Sequence, residues 1–254
     1  MEPVTFSHAG GPRLAGLYHG ADTRNGVVLA HGFCNDKASN GRFDALSRAL
    51  SEAGLAVLAF DFAGCGESAD AVLTPESLRA DLDAAITFMT DAGHDRLGLF
   101  GNSLGGSLCL RVRHPAVVAV AATGAATAPM QYDWSDHFSA RQLAELEETG
   151  HLTETVESPW RDHVIVSASL LQAFGEGSME ERVGGLSCPV LLIYGGDPGD
   201  DEERLLAEAA ARAMALLPKG SRRLIVEGAS HGLRDQWDTV TEEVAAWFRQ
   251  MAPA

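Results

Sequence analysis

The 254 residues are 46% hydrophobic and 21% charged, a balance that suits one globular domain around a sizeable core. A net charge of −16 at pH 7 repels nucleic acid and anionic membrane surfaces, so neither is expected as a partner. No apolar run approaches the roughly 20 residues that span a bilayer.

The start, Met1-Glu2-Pro3-Val4-Thr5-Phe6, lacks a basic stretch followed by an apolar one. Cys34, Cys65, Cys109 and Cys188 contain no C-x-x-C pair, which argues against zinc and thioredoxin-like sites. A cytoplasmic chain with free thiols is expected.

Two short strands, near Thr5 and at Leu14 to Tyr18, open the chain as an antiparallel edge. Short apolar runs bounded by Gly and Pro then recur at 27–30, 56–60, 97–100, 117–121, 190–194 and 223–226. Such runs fit parallel strands covered on both faces. Between them lie helical periods. Phe43 to Glu52 is apolar at 43, 46, 49 and 50. Thr74-Pro75 supplies an N-cap and a first-position proline to a helix with Leu78, Leu82, Ala85, Ile86 and Met89 on one face. Residues 202–217 and 236–251 complete the set.

Strand and helix in alternation predict an α/β fold, a mainly parallel sheet of about eight strands flanked by helices. The stretch between Ala122 and Val190 is too long for a structureless loop. It carries helical pieces at 140–148 and roughly 162–174, with Trp134, Phe138, Trp160 and Phe174. It is expected to be a small helical cap inserted after the sixth strand. Residues 1–124 and 186–254 then form the core and residues 125–185 the cap.

Gly101-Asn102-Ser103-Leu104-Gly105-Gly106 sits between a strand and a helix. Strand, G-x-S-x-G, helix is the nucleophile elbow, in which a strained serine projects its hydroxyl above the carboxyl edge of the sheet. Gly228-Ala229-Ser230-His231-Gly232 matches the same pattern but follows the last strand. Acid and base must come later in the chain than the nucleophile, and only Ser103 allows that.

His231, in a Gly-flanked loop before the last helix, is the expected base. His114, His137, His151 and His163 all precede the penultimate strand and break the order. The acid is expected after the strand at 190–194, in Gly195-Gly196-Asp197-Pro198-Gly199-Asp200-Asp201-Glu202-Glu203. Asp197, nearest the strand end, is the first choice and Asp200 the second. The remaining acids read as the negative first turn of a helix.

His31-Gly32-Phe33 follows the strand at 27–30. The backbone amides of Phe33 and Leu104 are the expected oxyanion donors, and His31 a structural residue. Gly64-Cys65-Gly66 lacks the third glycine of a dinucleotide loop. Asp133, Asp136 and His137 match no metal cage. The assembled chemistry uses side chains and amides alone, without cofactor or metal.

The four segments His31-Gly32-Phe33, Phe60-Asp61-Phe62-Ala63-Gly64-Cys65-Gly66-Glu67-Ser68, Gly101 to Gly106 and Gly228 to His231, in this order, resemble the α/β-hydrolase superfamily. With Lys37 after the first, they are similar to small serine carboxylesterases of the cinnamoyl/feruloyl kind. The resemblance implies an α/β-hydrolase fold and cleavage of a small-molecule carboxylic ester through an acyl-enzyme. Asn102 stands where those esterases usually carry His, and the acid loop has one residue, not two, between Gly195 and Asp197. The G-N-S-x-G-G elbow is also similar to that of carbon–carbon hydrolases. The same three side chains would equally serve thioester cleavage, and the same pocket a non-catalytic ligand-binding role.

Overall fold

The computed structural model describes residues 1–251. Eleven strands occur among them: β1 (Glu2–Phe6), β2 (Leu14–His19), β3 (Asn25–Ala30), β4 (Ala56–Phe60), β5 (Val72–Leu73), β6 (Arg96–Asn102), β7 (Val117–Thr123), β8 (His151–Thr155), β9 (His163–Ser167), β10 (Val190–Gly196) and β11 (Arg222–Glu227). The eight α-helices are α1 (Arg42–Glu52), α2 (Pro75–Asp91), α3 (Leu104–Cys109), α4 (Ala140–Thr149), α5 (Ala168–Ala173), α6 (Met179–Val183), α7 (Asp201–Ala213) and α8 (Trp237–Arg249).

The main sheet has eight strands in the order β1-β2-β4-β3-β6-β7-β10-β11. β1 pairs with β2, and β2 with β4, antiparallel; every other neighbour in this sheet is parallel. The alternation within each strand divides the core. Val27, Leu29, Val57 and Ala59 face α1 and α8, with Phe43, Leu46, Val240, Val244 and Phe248. Val28, Ala30, Leu58 and Phe60 face the other side, with Leu78, Leu82 and Met89 of α2 and Leu206 and Ala210 of α7. Both faces are covered, which is why these strands read as unbroken apolar runs.

The α2 start is as expected: the Thr74 hydroxyl accepts from the Ser77 amide, and Ser77 accepts from the Thr74 amide. α3, the helix after the elbow, is short and ends at Cys109.

The chain leaves the sheet between β7 and β10. The expected helix at 140–148 is α4. The expected helix at 162–174 is not continuous: its first part is β9, and only 168–173 is helical. β8 and β9 form an antiparallel pair, and β9 also pairs in parallel with β5 of the core. The reason is local. Val164-Ile165-Val166 is a β-branched run, with Val164 and Val166 buried and Ile165 out, a period of two rather than 3.6. The inserted segment is therefore mixed α and β rather than helical. No helix among the described residues is long and apolar enough to cross a membrane.

Candidate active site

The strand order reverses between β3 and β6. β3 is followed in the chain by β4 on one side and, after α2, by β6 on the other. Loops leaving the carboxyl ends of two such strands diverge and open a crevice. His31-Gly32-Phe33 leaves from one and Ser103 from the other, with Ala30 and Gly101 in register.

Ser103 holds φ 50° and ψ −113°, a backbone region that side chains other than glycine rarely adopt. Its amide donates to the Thr123 carbonyl at 2.7 Å, which fixes the turn to β7. The flanking glycines are sterically required. A Cβ on Gly101 would run into the backbone of Gly105 and Gly106, and one on Gly105 into the carbonyls of Ala30 and His31. Asn102 donates its side-chain amide to Thr123 Oγ1 at 2.9 Å, beneath the crevice.

The Ser103 hydroxyl lies 3.1 Å from His231 Nε2. His231 Nδ1 lies 2.6 Å from Glu203 Oε2. A carboxylate only accepts, so Nδ1 carries the proton and Nε2 presents its lone pair to the serine. Glu203 is fully buried, and its other oxygen accepts from the Gly195 amide at 2.6 Å.

Asp197, the acid expected from the sequence, is not brought to His231. Its Oδ1 accepts from the Gly199 amide at 2.8 Å, and its own amide donates to the Ala229 carbonyl at 3.0 Å. The loop carrying His231 crosses the end of β10 so closely that a Cβ on Gly195 would overlap Ala229. That crossing takes His231 past Asp197 to the start of α7, where the longer glutamate side chain meets it. Asp200 plays two supporting parts: Oδ1 caps α7 on the Glu203 amide at 2.9 Å, and Oδ2 accepts from the His231 amide at 2.8 Å. Helical position carried a signal for Glu203. It shares the apolar face of α7 with Leu206, Ala207 and Ala210, and an acid on such a face needs a partner.

Residues 27–247 match the profile of a family described as the alpha/beta hydrolase family. The chain belongs to the alpha/beta hydrolase family. Among solved structures it is similar to an esterase domain of a Rhodothermus marinus protein, 26% identical over 98% of each chain, TM-score 0.67. It is also similar to a thermophilic esterase from Thermogutta terrifontis, 20% identical over all of both chains, TM-score 0.69. A third is a monoacylglycerol lipase from Paleococcus ferrophilus, 22% identical over 94% of this chain and 99% of that one, TM-score 0.69. No curated protein matches the sequence.

In this alpha/beta hydrolase the two expected oxyanion residues flank the crevice. Leu104 opens α3, so its amide has no carbonyl one turn earlier to bond. Phe33 stands on the β3 loop, its ring edge-on to Phe174 of the inserted segment at 6.1 Å. His31 is buried and structural in its contacts: Nδ1 donates to the Gly32 carbonyl at 2.8 Å, and Nε2 accepts from the Phe62 amide at 3.2 Å.

Burial tends to lower the His231 pKa. The hydrogen bond and charge of Glu203, with Glu202 and Asp200 adding, outweigh it and hold the ring above its ordinary value of 6.5. Burial pushes Cys65 up to about 12 and Cys34 well above the usual thiol range, so both stay protonated near the site.

The β8–β9 loop is fastened to the core beside Phe33. Lys37, buried, donates to Asp61 and Glu67 at 2.7 Å each, and Trp160 lies 4.0 Å over its ammonium. Ser158 donates to Asp36 at 3.0 Å, and Arg161 donates to the carbonyls of Gly66 and Ser68.

Proposed function

We propose that this hydrolase is a serine esterase that cleaves a small carboxylic ester through an acyl-enzyme. Ser103 is the nucleophile, His231 the general base and acid, and Glu203 the carboxylate that orients His231. The observation that carries the reading is the unbroken chain from Ser103 Oγ to His231 Nε2 and from Nδ1 to Glu203 at the switch point of the sheet.

His231 takes the Ser103 proton as Oγ bonds the ester carbon. The oxyanion so formed is stabilised by the amides of Phe33 and Leu104, each such donor being worth about 10²–10³ in rate. His231 gives its proton to the departing alkoxide. Water then attacks the acyl-enzyme, passes a proton to His231, and the carboxylic acid leaves as Ser103 is reprotonated. The esterase and lipase relatives support an ester over a thioester or a carbon–carbon bond. The four unpaired thiols suit a cytoplasmic setting.

The test is fluorophosphonate labelling together with turnover of p-nitrophenyl esters from acetate to decanoate and of methyl ferulate, on wild type and Ser103→Ala. Ser103-dependent labelling and turnover are expected, with methyl ferulate reporting on the cinnamoyl/feruloyl resemblance. Folded wild type that neither labels nor turns over any ester overturns the reading.

A further inference from the structure

Beside the nucleophile, a cavity of about 290 Å³ runs along α3, close to the lower end of the sizes that hold small ligands. Leu104 and Ser107 line its near end, and Phe174, in contact with Phe33, forms a wall. It therefore adjoins Leu104 directly, and Phe33 through the ring of Phe174. No residue of the His231 loop or of α7 lines it. The alcohol oxygen of an ester must face His231 Nε2 to be protonated as it leaves, so this cavity is on the acyl side.

The far end is cationic. Arg111 and Arg182 both line it. Arg182 is 3% exposed. One of its terminal nitrogens donates to the carbonyls of Ala173, Phe174 and Glu176, while its Nε is buried with no partner. No hydrogen bond or ion pair within the described residues engages the Arg111 guanidinium. Burial, then the charge of Arg111, lowers the Arg182 pKa to about 10. Two cations thus line one cavity, Arg182 buried against backbone carbonyls and Arg111 with its guanidinium unpaired. Glu76 and Arg79 stand exposed at the rim, Arg79 paired with Asp83 at 3.0 Å, and Glu181 is the acid whose charge reaches Arg111. None of these acids caps Arg182 Nε.

We propose that the cavity receives an acyl group ending in a carboxylate, held by Arg111 with the charge of Arg182 beside it, so that the preferred substrate is a half-ester of a short dicarboxylic acid. A carboxylate supplies the acceptors that the Arg111 guanidinium lacks, and the guanidinium fork matches it in geometry. From Ser103 to the end of α3 at Cys109 the helical rise is roughly 9 Å, with Arg111 two residues further on, which is on the scale of a chain of a few methylenes. The apolar walls, Leu108, Ala126 and Leu170 among them, cover those methylenes.

The proposal rests on the esterase reading, so its test has an arm that needs no turnover. Ester hydrolysis is followed by pH-stat with monoethyl adipate and ethyl hexanoate, which differ by the terminal carboxylate. Adipate binding to Ser103→Ala is followed by calorimetry. Wild type is expected to favour monoethyl adipate by tenfold or more in kcat/KM. Arg111→Gln brings that ratio to about one, and Arg111→Gln added to Ser103→Ala weakens adipate tenfold. Turnover of ethyl hexanoate with no preference for the half-ester, or a preference unchanged in Arg111→Gln, overturns the proposal and leaves the esterase standing. Arg111-dependent adipate binding with no ester turned over upholds the carboxylate site but overturns the esterase reading and, with it, the half-ester as substrate. Absence of both adipate binding and turnover overturns both.

Discussion

Replacing Glu203 by Gln separates the carboxylate seen beside His231 from the two aspartates nearer the strand end. Both groups that Glu203 accepts from are donors: the Gly195 amide at one oxygen and His231 Nδ1 at the other, each at 2.6 Å. A glutamine has one oxygen and one NH₂, so it satisfies only one of them. With its oxygen on Gly195, the NH₂ faces Nδ1 and drives the ring to the tautomer protonated at Nε2, which cannot take the Ser103 proton. With its oxygen on Nδ1, the NH₂ meets the Gly195 N–H, donor against donor, in a buried site. Loss of the orienting acid with tautomer reversal costs about 10⁴ in kcat in a serine triad, close to 5.5 kcal/mol of barrier.

The assay is kcat on p-nitrophenyl butyrate for Glu203→Gln, Asp197→Asn and Asp200→Asn, with thermal unfolding of each to verify the fold. Asp197→Asn is expected within about threefold of wild type, since Asp197 serves only its own turn. Asp200→Asn keeps an oxygen to cap α7 but turns an NH₂ toward the His231 amide, and should lose about 1 kcal/mol of stability for that hydrogen bond and a smaller part of the rate. Retention of activity within tenfold in folded Glu203→Gln, with collapse in either aspartate variant, would refute the reasoning.

Two further outcomes follow from the titrating groups. His231 must be neutral to act as base and its pKa is raised, so the acid limb of kcat/KM should have its midpoint above about 6.5 and move down in Glu202→Gln; a midpoint at or below pH 6 in wild type contradicts this. Asp81 is fully buried on α2, its Oδ2 on the Ala63 amide and its Oδ1 without a partner, and burial raises its pKa from 3.8 to about 6. Its folded pKa lies above the unfolded one, so the folded state binds the extra proton and stability from this group falls as pH rises between those values. Asp81→Asn should therefore gain on wild type, by at most about 3 kcal/mol, as pH goes from 4 to 7; parallel stability curves from chemical denaturation would count against it.

What could be read from the residues alone was whatever depends on neighbours in the chain. Six of the eight strands of the main sheet are short apolar runs, and the elbow is a strand, a glycine-framed serine and a helix, all contiguous. His231 followed from chain order. Glu203 did not: its place on the apolar face of α7 marks it as an acid in need of a partner, but which partner depends on how closely one loop crosses another at Gly195. The acidic first turn of α7 gave a sufficient dipole explanation for all its acids and hid the one on the buried face. The β8–β9 pair was missed for a related reason: His151-Leu152-Thr153-Glu154-Thr155 has a single apolar residue, and its strand form depends on pairing with β9.

The fastening of Trp160, Ser158 and Arg161 ties the inserted segment to the loops after β3 and β4, and the first of these carries the Phe33 amide. The roof over the crevice and one wall of its catalytic floor are thus a single mechanical part. Exchanging this segment for that of another hydrolase would disturb the geometry of bond breaking along with the choice of substrate. Specificity here is better altered one lining residue at a time than by transplanting the segment whole.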